Sequence, residues 1–497
     1  MFQKLLTFIN HKKYLKKELI HSKNILDNIN GYKLDYNQRL SIVCDEENTL
    51  VIAGAGSGKT LTIVGKIRYL IERKNVSPKD ILCISFTNNT VNSLKNSLSK
   101  NYNYNIDIYT FHKLALNIIN DKNINISMPD TLNYIVDEFF YCNFSNILIN
   151  NDIKCCLKKL IITFINLFKS NNYDISYFEK IFIKNSKEKN KQIRYNNYVL
   201  LKLIKEIYII YERELKSCNM IDFNDMINYA IDKVENSNIS YKYIIIDEYQ
   251  DTSFVKYQLI KKIKEKCKSK IMAVGDDFQS IYRFTGCNLD IFLKFKKYYG
   301  KTKIIKIKKT YRNSKELISV AGSFIMKNPK QMIKIMHSNK SINKPIKIVY
   351  YNDLQSKFID IIKSIDTKIL ILVRNNNDIN KLIGNLISKK DDSLIYKNIC
   401  MRYLTVHKSK GLEEENVIVL NMNNSYLGFP NKIVNNKILD YVLTIKDSYL
   451  YEEERRLFYV ALTRTKNNVY LFCIINYPSI FIKELIKEHS NNIQILN

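Results

Sequence analysis

Gly58-Lys59-Thr60 stands at the mouth of an amphipathic helix, directly after the apolar run Leu50-Val51-Ile52 and the small-residue turn Ala53-Gly54-Ala55-Gly56-Ser57. Strand, turn and helix N-terminus together make a phosphate cradle, in which backbone N–H groups converge and the helix dipole adds positive potential. In such a cradle Lys59 reaches the β- and γ-phosphates of a nucleoside triphosphate, and the Thr60 hydroxyl ligates Mg2+. The generic pattern asks for glycine where this chain has Ala53. Upstream, Gln38 opens a helix, and its amide can both donate to and accept from an adenine edge.

Two adjacent carboxylates, Asp247 and Glu248, end the apolar run Tyr243-Ile244-Ile245-Ile246. That arrangement suits triphosphate hydrolysis: Asp247 holds Mg2+ through water and Glu248 polarises the attacking water. A further buried strand, Ile271 to Val274, leads into a polar turn that places Gln279 to sense the γ-phosphate.

The elements that must position these groups read as strands alternating with helices. Asp80 to Ser85 runs into Phe86, Thr87 and Asn88, and Ile106 to Tyr109 runs into Thr110, Phe111 and His112. Both put an aromatic at a strand's C-terminal end, where open α/β sheets bind ligands. Stacking on nucleic-acid bases and plain core packing both remain open for Phe86 and Phe111. Residues 113–217 change to helical patches with no strand pattern, read as a helical insertion. Residues 1–30 read as a basic helical extension that packs against the body.

The 497 residues include 78 Lys and Arg against 48 Asp and Glu, a formal net charge of +30. Such an excess points to a polyanionic partner, although heavy use of Lys, Asn, Ile and Tyr with no Trp also fits an AT-rich coding bias. Ten cysteines show no C-x-x-C pair, which argues against a zinc or iron–sulfur site and suits a reducing, cytoplasmic compartment. No apolar run is long enough to span a bilayer, so no membrane partner is expected.

The order Gln38, Ala-Gly-Ala-Gly-Ser-Gly-Lys-Thr (53–60), Ser-Phe-Thr-Asn (85–88), Thr-Phe-His (110–112), Asp-Glu-Tyr-Gln-Asp-Thr (247–252) and Gly-Asp-Asp-Phe-Gln-Ser-Ile-Tyr (275–282) resembles the UvrD/Rep family of superfamily 1 DNA helicases. Ala53 is normal in that family. Lys308 to Ser314 resembles its motif IV, which implies that Tyr311 stacks on adenine and Arg312 reaches the γ-phosphate. Tyr403 to Glu413 resembles motif V, which implies a DNA-backbone contact around His407 and a ribose contact around Glu413. Glu452 to Arg464 resembles motif VI, which implies Arg464 as an arginine finger. An arginine beside a triphosphate neutralises transition-state charge through bidentate contacts that lysine cannot match.

The resemblance implies an α/β fold: two RecA-like parallel-sheet domains of the P-loop NTPase kind, with ATP and Mg2+ between them and single-stranded DNA, or a single/double-strand junction, across their tops. The first domain is expected over 31–112 and 218–290, the insertion over 113–217 and the second domain over 291–497. The large regulatory subdomain of UvrD and Rep is missing or very reduced, since the route from Arg374 to motif V has space only for a helix and a turn. In pattern the chain is closest to the helicase IV branch. DNA contacts implied by resemblance are Phe86, Thr87, Asn88, Thr110, Phe111, His112, Tyr282, Phe284 and His407, with Phe284 where the family usually has Trp. The activity implied is ATP-driven 3′→5′ unwinding; a translocase that displaces proteins, a nuclease–helicase and a non-enzymatic binding module are the alternatives. Replication, repair and defence partners all fit such a motor, and the oligomeric state stays open.

Overall fold

The computed structural model describes residues 13–121, 124–144, 150–384, 386–432, 436–443 and 449–497. Strands β1 (Asn48–Ala53), β2 (Ile81–Ser85) and β3 (Asp107–Thr110) start the first sheet. A two-stranded ribbon, β4 (Asn125–Ile126) and β5 (Met220–Ile221), closes the neck of the helical insertion. β6 (Tyr243–Ile246), β7 (Lys270–Gly275) and β8 (Lys303–Ile307) complete the first sheet in the order β3-β2-β6-β7-β1-β8, all parallel. Helices cover both faces, so β1 and β2 are buried from end to end, as parallel sheets require.

β8 moves the expected boundary between the domains. It lies beyond residue 290, yet it pairs with β1 alongside the phosphate loop. Its apolar alternation, with Ile305 and Ile307 buried and Ile304 exposed, is what any edge strand shows, so pattern alone does not say which sheet it joins. The insertion also begins later than expected. The helix Phe111–Ile119 packs Leu114, Ala115 and Ile118 into the first sheet's core. Four helices (Thr131–Phe144, Asn151–Ser170, Tyr177–Ser186 and Lys191–Ser217) form the insertion proper around Phe164, Phe168 and Phe178. Ile438, Leu439 and Val442, from the far half of the chain, share that core.

The second sheet contains β9 (Ile346–Tyr351), β10 (Ile369–Val373), β11 (Ser388–Lys390), β12 (Ser393–Tyr396), β13 (Ile399–Thr405), β14 (Asn416–Val419), β15 (Val469–Ile474) and β16 (Ile493–Leu496). The order is β11-β12-β13-β10-β14-β15-β9-β16, antiparallel from β11 to β13 and parallel beyond. Between Arg374 and β13 the described residues form a 3-10 turn (Asn376–Lys381) and the β11–β12 hairpin. A short 3-10 helix and a hairpin thus stand where a helix and a turn were expected.

Leu15, Leu26 and Ile29 of the N-terminal extension pack with Tyr69 and Leu70 behind β1, and the Tyr69 hydroxyl donates to Glu18 at 2.9 Å. The expectation for residues 1–12 lies outside the described residues. Between the sheets, Ala55, Phe278 and Ile281 of the first domain join a core with Leu317, Phe458 and Tyr459 of the second. After the second domain's first helix (Lys315–Ile325), residues 331–337 return to the first domain. There His337 pairs with Lys309: Thr310 N–H donates to His337 O at 2.8 Å and His337 N–H to Lys308 O at 2.7 Å. No helix among the described residues is long and apolar enough to cross a membrane.

Candidate active site

The turn after β1 depends on two glycines in the left-handed region, Gly56 (φ 67°) and Gly58 (φ 75°). A Cβ at Gly58 would meet Gln38 Nε2 at 2.7 Å, and one at Gly56 would meet Arg312 Cβ at 2.5 Å. Asp35 caps the helix Tyr36–Val43 and accepts from Gln38 N–H, while Gln38 Oε1 accepts from Asp35 N–H at 2.8 Å. The other end of the Gln38 amide donates to Ser57 O at 3.0 Å, so Gln38 braces the loop from behind. Asp35 also accepts from the Tyr311 hydroxyl at 3.0 Å, which brings Gln38 and the half-exposed Tyr311 ring to one corner of the cleft.

The second domain's contribution docks directly onto the loop. Thr310 Oγ1 donates to Ala55 O at 2.8 Å and Tyr311 N–H to Gly56 O at 2.8 Å. Ser57 Oγ is buried in the loop without a hydrogen-bond partner, which fits an anion cradle.

Lys59 opens the helix Lys59–Glu72 and its ammonium lies 2.5 Å from Glu248 Oε1. Glu248 is itself at positive φ (51°), and Gln250 Nε2 donates to its other oxygen at 2.6 Å. Burial works to raise the Glu248 carboxyl, but Lys59 and then Lys410 outweigh it and hold it down at about 2. Asp247 shows the reverse: burial, then the neighbouring Glu248 charge, pushes it up to about 7. Thr60 is exposed on the second residue of the helix. Its hydroxyl with the Asp247 carboxylate is a hard, oxygen-only donor set that fits Mg2+.

Gln279 Oε1 accepts from Arg464 Nη2 at 3.1 Å, across the domain boundary. Arg464 is 1% exposed; burial, and then the neighbouring Arg312 charge, pushes its guanidinium down to about 9. Arg312 Nε donates to Glu413 Oε2 at 2.6 Å and its Nη1 to Thr463 O at 3.2 Å. Lys59, Asp247, Glu248, Gln279, Arg312, Glu413 and Arg464 therefore meet in one cleft.

A second group lines the C-terminal ends of the first sheet. Phe86 packs edge-on against Phe111 at 5.1 Å. Phe111 is 2% exposed, so it backs Phe86 and offers no open face to a base. This corrects the reading of Phe111 as a gripping ring: its helix turns it into the sheet's core. Thr87 and Thr110 accept from the backbone N–H groups of Thr90 and Lys113 and cap the helices that start at Asn88 and Phe111. Phe284 of the first domain, 52% exposed, packs edge-on against His407 of the second at 5.5 Å. The Tyr282 hydroxyl donates to His407 O at 3.0 Å. Burial, reinforced by Lys256 at His112 and by Arg374 at His407, lowers both imidazoles to about 4.

Sequence reasoning missed three residues here. Lys410 donates to Asp251 Oδ2 at 2.5 Å and to Gln279 O at 2.7 Å, yet it was read only as part of motif V. Phe223, 44% exposed, meets His112 edge-on at 5.3 Å; the Asp222-Phe223 helix start was its only signal. Lys334, buried against Asp276 and Asp277, carried no local signal.

Residues 34–300 match the UvrD/REP helicase N-terminal domain, and residues 384–476 match the UvrD-like helicase C-terminal domain. The chain is 24% identical to DNA helicase IV of Escherichia coli (strain K12), over 96% of this chain and 73% of that protein. It is 29% identical to ATP-dependent DNA helicase Rep of Buchnera aphidicola subsp. Acyrthosiphon pisum (77% of this chain, 56% of Rep) and 25% identical to ATP-dependent DNA helicase PcrA of Leuconostoc citreum (81% and 51%). It thus spans about three quarters of the first and about half of the other two. Two halves of a nucleotide site meet across two sheets, with the family's N-terminal domain matched over more than half of the chain: it belongs to the UvrD/Rep family of ATP-dependent DNA helicases.

Proposed function

We propose that the chain hydrolyses ATP to move 3′→5′ along single-stranded DNA and to separate duplex ahead of it. The observation that carries this reading is the divided site: Lys59 and Glu248 lie on the first domain, Arg312 and Arg464 on the second, with Gln279–Arg464 joining them at 3.1 Å. The triphosphate supplies the anhydride whose cleavage drives the cycle, with Thr60 and Asp247 as the residues that would hold Mg2+. Lys59 exchanges Glu248 for phosphate oxygens, which frees Glu248 to take the proton of the attacking water. Arg312 and Arg464 move onto the same charge and pull the second domain inward. Exposed Phe284 and half-buried Phe86 hold the strand alternately as His407 shifts against Tyr282 and Phe284.

A second reading, a translocase that strips proteins without processive unwinding, is favoured by the short 3-10 turn and hairpin between Arg374 and β13. The deciding experiment measures ATPase with and without single-stranded DNA or RNA at several salt concentrations, beside strand displacement from 3′- and 5′-tailed duplexes and displacement of a bound protein. DNA-stimulated ATPase with 3′-tail-dependent displacement is expected. Stimulated ATPase with protein displacement alone selects the second reading, and no stimulation by any strand overturns both. The salt series separates specific stimulation from the non-specific binding that a charge of +30 produces. A reducing cytoplasm and a role in replication, repair or defence go with this reading.

A further inference from the structure

Lys334 is 3% exposed and its ammonium binds both carboxylates that follow β7, Asp276 and, at 2.6 Å, Asp277. It also sits 3.7 Å over the Phe278 ring centroid. Lys334 comes from the segment that returns from the second domain, whereas both aspartates belong to the first. One ammonium against two buried carboxylates is costly unless the remaining oxygens are satisfied. They are: Asp277 Oδ2 accepts from Met332 N–H at 2.7 Å, Asp276 Oδ1 from Phe278 N–H at 3.2 Å, and Asp276 Oδ2 from Gln279 Nε2 at 2.6 Å.

Gln279 is therefore held between a carboxylate and, at 3.1 Å, the Arg464 guanidinium. An ionised carboxylate only accepts and a guanidinium only donates, so the amide can face one way: nitrogen to Asp276, oxygen to Arg464. Lys334 holds the Asp276 carboxylate by its Oδ1, which leaves Oδ2 turned to the Gln279 amide.

We propose that Lys334 is a positioning residue for the γ-phosphate-sensing amide: acting through Asp276, it fixes which way Gln279 faces and so aligns the Gln279–Arg464 contact between domains. Asp277 only holds Lys334 and the Met332 backbone in place. This inference rests on the reading of the site as a nucleotide hydrolase.

Asp276→Asn and Asp277→Asn remove the same charge from the same triad, each from a side chain that is 0% exposed, but only the first interrupts the link to Gln279. With poly(dT) as the strand, Asp276→Asn is expected to lower kcat by about 10–100-fold, the range for outer residues that orient a reactive group, at unchanged KM for ATP. Asp277→Asn is expected to stay near wild type. Lys334→Gln should lower kcat as Asp276→Asn does, Lys334→Arg should recover most of it, and Lys334→Gln should cost nothing more in a Gln279→Ala background. Equal losses for the two aspartate variants, or multiplying losses in the Lys334/Gln279 cycle, would reduce the triad to a structural clamp and overturn the inference. If Asp276→Asn does not fold, the Lys334/Gln279 cycle decides; if Lys334→Gln does not, the aspartate pair decides. Absence of ATP turnover in the wild-type chain would instead overturn the hydrolase reading beneath it.

Discussion

Lys59 Nζ lies 2.5 Å from Glu248 Oε1, so the proposed phosphate grip and the proposed proton acceptor are each other's ion-pair partner. Phosphate binding must therefore break this pair, and Glu248 acquires its role only when Lys59 leaves it. Glu248→Gln should bind nucleotide more tightly than wild type while turnover falls by about 10²–10⁴, the usual contribution of a positioned proton acceptor. Equilibrium nucleotide titration beside steady-state ATPase reads both quantities. Weaker binding, or turnover near wild type, would contradict the exchange.

The trans-domain arginines make a sharper demand. Arg464→Ala is expected to lower kcat by on the order of 10³ or more and to leave nucleotide affinity much less affected. Arg312→Lys should restore little, because Arg312 spans Glu413 and the Thr463 carbonyl with two separate N–H groups, which a single ammonium cannot copy. Single-turnover ATP hydrolysis with saturating DNA distinguishes these losses from a binding defect.

On the aromatic rim, Phe284→Ala should weaken single-strand binding by about 1–3 kcal/mol without changing the slope of affinity against salt, because stacking releases no counterions. Phe284→Trp, with a larger ring, should bind more tightly. Phe111→Ala should act chiefly through stability, with a cost of about 3–5 kcal/mol for a buried ring. Fluorescence anisotropy over a salt series, with thermal unfolding of each variant, makes the comparison. A Phe111 variant of normal stability that fails to bind DNA would restore it to the gripping set.

Two histidines give the chain a defined acid response. His112 and His407 are both held near 4 by burial and neighbouring cations, below the usual imidazole value of about 6.5. The unfolded chain therefore takes up protons that the folded chain refuses, and stability falls as pH drops from about 6.5 toward 4. His112→Gln with His407→Gln should flatten that limb in thermal melts. Between pH 8 and 6 neither ring gains charge, so the salt slope of DNA binding should stay constant; a slope that steepens there would show a cationic imidazole on the strand.

Much of this molecule could be read from its residues because its chemistry lies in contiguous runs at strand ends. The Ala53–Thr60 turn, the Asp247-Glu248 pair and the Thr463-Arg464 pair each announce themselves locally, and alternating strand and helix patterns carry the two sheets. What could not be read depends on partners far apart in sequence. β8 is an ordinary edge strand whose sheet is chosen by its neighbour β1. Phe111 and Phe86 look alike as residues, and only the turn of a helix separates a fully buried ring from a half-buried one. Lys334 is one of many lysines until Asp276 and Asp277, more than fifty residues away, close around it.

The Lys309–His337 pairing has a mechanical consequence. Two strands of the chain cross between the domains side by side at this point, immediately beside Tyr311 and Arg312. A doubled crossing is stiffer than a single linker and sets a pivot close to the phosphate loop. Rotation about that pivot displaces groups beside the phosphate loop least and groups farther from it most. In the proposed cycle this makes a lever with its fulcrum at the fuel, where a small adjustment of Arg312 against phosphate would become a longer stroke along the strand.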